Sequence, residues 1–81
     1  METTIEYEIP SDNPGIFVEL SIYNISGQKI CTLVSNKKSS GIYSARWNGI
    51  DKNGRDVSTG IYFAKLKAES SLSVKKILLV K

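Results

Sequence analysis

The feature that most narrows what this chain can become is a two-residue alternation, repeated and punctuated by turns. Between Thr3 and Ile9, Ile5, Tyr7 and Ile9 alternate with Thr4, Glu6 and Glu8. Successive side chains of an extended strand point to opposite faces, so this run sets one face on an apolar interior and the other in water. Pro10 has no amide hydrogen to continue a ladder, and the "SDNPG" that follows it is turn chemistry. Residues 17–24 alternate Val18, Leu20 and Ile22 with Glu19 and Ser21; "NISGQK" follows, with Gly27 suited to positive φ. Residues 29–35 carry Ile30, Leu33 and Val34, which break parity and point to a bulge or a twisted edge. After the polar "NKKSSG", residues 42–48 set Tyr43, Ala45 and Trp47 on one face. Two Asn-Gly turn pairs come next, with Val57 expected as a short rung between them and Gly60. Residues 60–68 align Tyr62, Ala64 and Leu66, while Ile61 and Phe63 on the other face give way to Lys65 and Lys67. "ESSLS" reads as a turn and "VKKILLVK" as the closing strand. Residues 77–80 are apolar on both parities, as in a central strand or one whose second face meets a partner. No stretch has helical apolar spacing with a cap.

Six or seven short strands in one flat sheet would leave an apolar face wet. Two sheets face to face resolve this, so the expected fold is all-β, an immunoglobulin-like antiparallel β-sandwich. Its candidate core is Tyr43, Trp47, Tyr62, Leu66, Leu20 and Ile22. At 81 residues the chain suffices for one domain, spanning 1–81.

Composition removes several chemistries. Histidine is absent, so no His ligand, His base or His-activated nucleophile exists. Cys31 is alone and reads as a small strand residue. No apolar run approaches the roughly 20 residues needed to cross a bilayer, so membrane insertion is not expected. The net charge of +3 is divided along the chain: Glu2, Glu6, Glu8, Asp12 and Glu19 precede Lys29, and all 11 Lys and Arg come from Lys29 onward. The lysines are scattered over alternating strands, without the clustering that nucleic acid demands. They suit cross-strand pairing of acidic early strands with basic late ones, at roughly 0.2–1 kcal/mol a pair.

The sharpest candidate site is "DKNGRD". Asp51, Asn53 and Asp56 are oxygen donors close in sequence, as in a calcium loop. The calcium-hand pattern, however, asks for donors at positions 1, 3 and 5 and glycine at 6; from Asp51, position 5 is Arg55 and the glycine stands at 4. The competing reading folds the Asp51 and Asn53 side chains onto the local backbone while Gly54 supplies positive φ. A phosphate loop is missing its Gly-Lys-Ser/Thr, and a small sandwich has little room for a catalytic cleft. No enzyme activity and no cofactor are expected.

Taken in order, "TTIEYEIP", "VELSIYNISGQKICTLV", "GIYSARWNGIDKNGRDVSTGIYFAKLKA" and "KKILLVK" carry a likeness. The chain resembles the C-terminal immunoglobulin-like module shared by the flagellar hook-capping protein domain and the type IX (Por) secretion sorting domains of bacteria. Asn24 and Asn48 stand where members often carry aspartate, Ile50 replaces a usually polar residue, and "ESSLS" lacks a frequent hairpin glycine. The resemblance implies a non-catalytic domain at the end of a larger exported protein. Its signal peptide would then lie upstream, since "METTIEYEIP" lacks a signal's layout. As a sorting domain it would be read by an outer-membrane translocon, with a sortase-like peptidase as a further partner, and delivered to the cell surface or beyond. As a hook-cap-like module it would be a structural spacer or assembly piece. An adhesion or carbohydrate-binding module is a third reading and needs an exposed aromatic platform. For partner recognition the expected segment is Lys75, Lys76, Ile77, Leu78, Leu79, Val80 and Lys81, a basic-apolar-basic edge open to strand addition.

Overall fold

The computed structural model describes residues 2–10, 15–69 and 71–81. The alternating runs become β1 (Thr3–Ile9), β2 (Ile16–Asn24), β3 (Lys29–Lys38), β4 (Gly41–Trp47), β5 (Gly60–Ala68) and β6 (Ser71–Leu79). β1 pairs with β4 in one antiparallel sheet, and the second runs in the order β3-β2-β5-β6, antiparallel throughout. The fold is an all-β, immunoglobulin-like sandwich of two strands over four.

The inward parity of each strand makes the core. Ile5, Tyr7 and Ile9 of β1 meet Val18, Leu20 and Ile22 of β2, Tyr62 and Ala64 of β5, and Ile77 and Leu79 of β6. Burying each large aliphatic or aromatic side chain contributes about 1.5–3 kcal/mol. Trp47 is 1% exposed. Its ring meets Tyr62 edge-on, with centroids 5.0 Å apart, and its Nε1 donates to the Ile50 carbonyl at 3.0 Å. The polar corner of the largest side chain is thereby satisfied inside an apolar core. Tyr43 and Leu66, expected in the core, lie at its margin and are half-buried. Tyr43 stacks on Tyr7 at 5.5 Å, and both sit where the narrower sheet ends.

Parity breaks in β3 because the ladder slips twice. Leu20 pairs with Val34 but Ser21 with Thr32, and Ile22 pairs with Cys31 but Tyr23 with Lys29. Leu33 and Ile30 are the extra residues of two bulges on an edge strand. β3 also runs to Lys38, past the expected end, because residues 36–38 still pair with 16–18 of β2. Being polar, they suit an edge.

The closing strand departs from expectation at both ends. Ser71 already pairs with Ala68, so residues 71–73 of "ESSLS" are ladder. The reversal rests on Glu69, at φ 56°, where a hairpin glycine was missed. Nor is β6 central: it lies at the sheet edge, with Ile77 and Leu79 buried and Leu78 and Val80 exposed. The expected rung at Val57 forms one residue earlier as an Ile50–Asp56 bridge, while the Val57 amide donates to the Gly49 carbonyl at 2.9 Å. The expected loop at 11–14 lies outside the described residues, as does Ser70. Charge pairing across strands is realised at Glu19, which takes Lys29 at 2.8 Å and lies opposite Lys67. Glu6 and Glu8 lie opposite Ser44 and Ile42 instead.

Candidate functional site

Asp51 decides what the glycine-rich loop is. Its Oδ1 accepts from the amides of Asn53 at 2.9 Å and Arg55 at 3.0 Å. Its own amide donates to the Arg55 carbonyl at 2.8 Å, and the Gly54 amide donates back to its carbonyl at 3.0 Å. The hydrogen bond from the Arg55 amide, then that from Asn53, holds the carboxyl below its usual range despite some desolvation. The second oxygen-bearing side chain, Asp56, accepts from Lys81 Nζ at 2.9 Å. Thus the Asp51 and Asp56 carboxylates are each engaged by a different partner, and among the described residues no cluster of three or more His, Cys, Asp or Glu could hold a metal ion.

The same turn occurs twice. Asn24 in "NISGQ" accepts on Oδ1 from the amides of Ser26 at 3.0 Å and Gln28 at 2.9 Å. Its amide donates to the Gln28 carbonyl, and the Gly27 amide to its own carbonyl, both at 3.0 Å. Gly27 at φ 86° and Gly54 at φ 80° hold the equivalent position. "NISGQ" and "DKNGR" are one hairpin device, an Asx side chain followed three residues later by a glycine in the left-handed region. This is why asparagine at 24 does the work of aspartate: only the Oδ1 acceptor is needed.

A second repeated device escaped the sequence reading. Tyr43 donates its hydroxyl to the Ser39 carbonyl at 2.7 Å, and Tyr62 to the Ser58 carbonyl at 2.6 Å. Each ties a strand start to the backbone four residues upstream, as in the tyrosine corner of immunoglobulin-like domains. The signal was present as "SSGIY" and "STGIY". Cys31 is half-buried, and burial, then the Asp51 charge, pushes its thiol up and away from the thiolate form. Among the described residues, no buried side-chain nitrogen or oxygen lacks a hydrogen-bond partner.

The closing segment splits by parity. Ile77 and Leu79 face the core, and Lys81 is occupied at the end of the loop. A partner meeting the intact strand therefore touches Lys75, Lys76, Leu78 and Val80. Of these, Lys76, Leu78 and Val80 join Leu72 and Val74 in a largely apolar outer row along an edge that is unpaired among the described residues, while Lys75 lies on the inward parity. The aromatics offer no stacking platform on the core side, since Trp47 and Tyr62 are buried and Tyr43 is half-covered and lies under Lys38 Nζ at 4.7 Å.

Residues 1–71 match the family model of the FlgD Ig-like domain, the immunoglobulin-like module of the flagellar hook-capping protein. The match speaks to the hook-capping side of the resemblance and carries nothing for type IX sorting, and it ends where β6 begins. No curated protein and no solved structure matches the chain. The FlgD Ig-like domain is a structural domain. On the two-layer antiparallel fold and a match that spans all but the last strand, the chain belongs to the FlgD Ig-like domain family.

Proposed function

We propose that this domain is a non-catalytic assembly module of a larger bacterial protein, holding a neighbouring polypeptide as a structural assembly grows. The observation that carries this reading is the family match, joined to a fold in which, among the described residues, no buried side-chain nitrogen or oxygen is left unpaired and strand edges stand open. Free edges and exposed apolar rows recognise polypeptide, not small molecules.

The exposed side chains of the closing segment favour a second reading. Lys75, Lys76, Leu78 and Val80 stand open together, and a secretion translocon could read them as an export signal, with a sortase-like peptidase acting later at the cell surface. One experiment separates the two. The parent protein is expressed with and without this domain, and export of the remainder and assembly of the finished structure are scored independently. Assembly lost with export retained is the expected result. Export lost would replace the assembly reading with the sorting one, and both retained would remove both.

A further inference from the structure

Two strands cannot cover four. β4 packs toward β3, so the free edge of β1 looks toward β6. Over the C-terminal half of β6, the loop after Trp47 completes the cover: Gly49 approaches Leu79, and Ile77 and Leu79 are buried. Over the N-terminal half no described residue does. Ser71, Ser73 and Lys75 share the inward parity of Ile77 and Leu79, yet all three are exposed. Beside them lies an open slot of about 210 Å³, with Ile5 and Tyr7 of β1 and Leu66 among its apolar lining and with Glu6, Glu8 and Lys75 as its charged groups.

We propose that this slot receives one extended segment of another polypeptide. The segment adds to the free edge of β1 as a third strand of the smaller sheet, sets aliphatic side chains over Leu66 and presents an acidic side chain to Lys75. A strand suits the site because the second edge of β1 pairs with no described strand and offers its amides and carbonyls. The slot is smaller than the roughly 300–1,000 Å³ of small-molecule pockets and has room for a few aliphatic side chains.

The charge of the segment follows from Lys75. This lysine makes no ion pair among the described residues. Glu6 and Glu8 line the same slot without pairing with it, so an apolar strand laid across Lys75 would strip water from an ammonium held in no ion pair, which costs more than the apolar contact returns. An inward-pointing charge at an edge excludes indiscriminate pairing, and an acid in the incoming strand converts that exclusion into selection. On its outer face the same strand would run beside Glu6 and Glu8 of β1, so basic or hydroxyl residues belong there. A second copy of this chain does not meet the requirement. The edge strands β1, β3, β4 and β6 present no inward acid, and β6 in the slot would set one Lys75 against another.

The inference deepens the assembly reading and rests on it. Its test is a titration of the isotopically labelled 81-residue chain. The probe is a synthetic nine-residue peptide that alternates valine with lysine or threonine and carries one aspartate in the valine register. The expected result is slowed exchange of alternate amides in β1, shifts at Leu66 and Lys75, and about tenfold weaker binding when the peptide's aspartate becomes lysine. Lys75→Glu should reverse that preference and Lys75→Gln should erase it; Lys75 is exposed, and melting curves check that both variants stay folded. Absence of β1 protection at millimolar peptide would overturn the proposal, as would a preference indifferent to Lys75. Protection without peptide that grows with chain concentration would assign the slot to a second copy and overturn the proposed occupant. Failure here removes the slot as the docking surface, whereas the deletion experiment judges the assembly reading on its own.

Discussion

Lys81 Nζ donates to the Gly49 carbonyl at 2.8 Å, closing the loop after Trp47 with the last side chain of the sequence. The same ammonium reaches Asp56, and the Lys81 amide donates to Thr59 Oγ1 at 3.0 Å. Gly49 sits at φ 77°, and a Cβ there would lie 2.7 Å from Lys81 Cε and 3.2 Å from Leu79 Cδ2. Gly54, at φ 80°, has nothing within 4 Å. Gly54→Ala should therefore cost only the left-handed backbone term of about 1–2 kcal/mol. Gly49→Ala should cost about 1–3 kcal/mol more through overpacking. Thermal unfolding of both, alone and with Lys81→Ala, measures the difference. The excess at Gly49 should shrink once the Lys81 side chain is gone, and an unchanged excess would refute the latch.

The paired tyrosine hydroxyls should be unequal. Tyr62 is buried and Tyr43 half-buried, so Tyr62→Phe should destabilise by about 1 kcal/mol and Tyr43→Phe by about half that. Denaturant midpoints at constant slope test the order; a larger loss at Tyr43 would overturn it.

Glu69 occupies a backbone region that favours glycine. Glu69→Gly should stabilise by about 0.5–1 kcal/mol, the relief of left-handed strain exceeding the added chain entropy. A fall in melting temperature would contradict this account of the β5–β6 reversal.

Acid should loosen the fold through two carboxylates. Lys29, then Ser21, holds Glu19 below its usual range, and the amides of Arg55 and Asn53 do the same for Asp51. A carboxylate with a lowered folded pKa stabilises above its unfolded pKa, and that stabilisation is lost as pH falls through the folded value. Melting temperature should thus be level near neutrality and decline below about pH 5. Asp51→Asn keeps the Oδ1 acceptor, as Asn24 does, and removes the titration, so its acid decline should be shallower. Parallel curves for the two proteins would exclude Asp51 from the effect.

Calcium should leave the melting curve where it is, because Asp51 Oδ1 already serves two amides and Asp56 serves Lys81. A rise with millimolar calcium would reopen the metal reading of "DKNGRD".

Much of this protein is written locally. Alternation alone placed β1 and β5 residue for residue, because a strand's two faces repeat every second position whatever lies across from them. Turn glycines were legible for the same reason: positive φ is a property of one residue. The loop's chemistry was half legible, since oxygen donors can be seen in a sequence but their targets cannot. Other features depended on neighbours that no local pattern names. Residues 77–80 look alike on both parities whether a strand is central or at an edge, and only the sheet order showed one face open. Leu66 and Tyr43 follow the parity of buried residues, yet they are half-covered because the second layer is two strands wide. Ser73 and Lys75 are bare for the same reason. Which residues can turn inward is fixed by the chain's own period; which of them are actually covered depends on how many strands the opposite sheet brings, and that is settled only when distant segments pack.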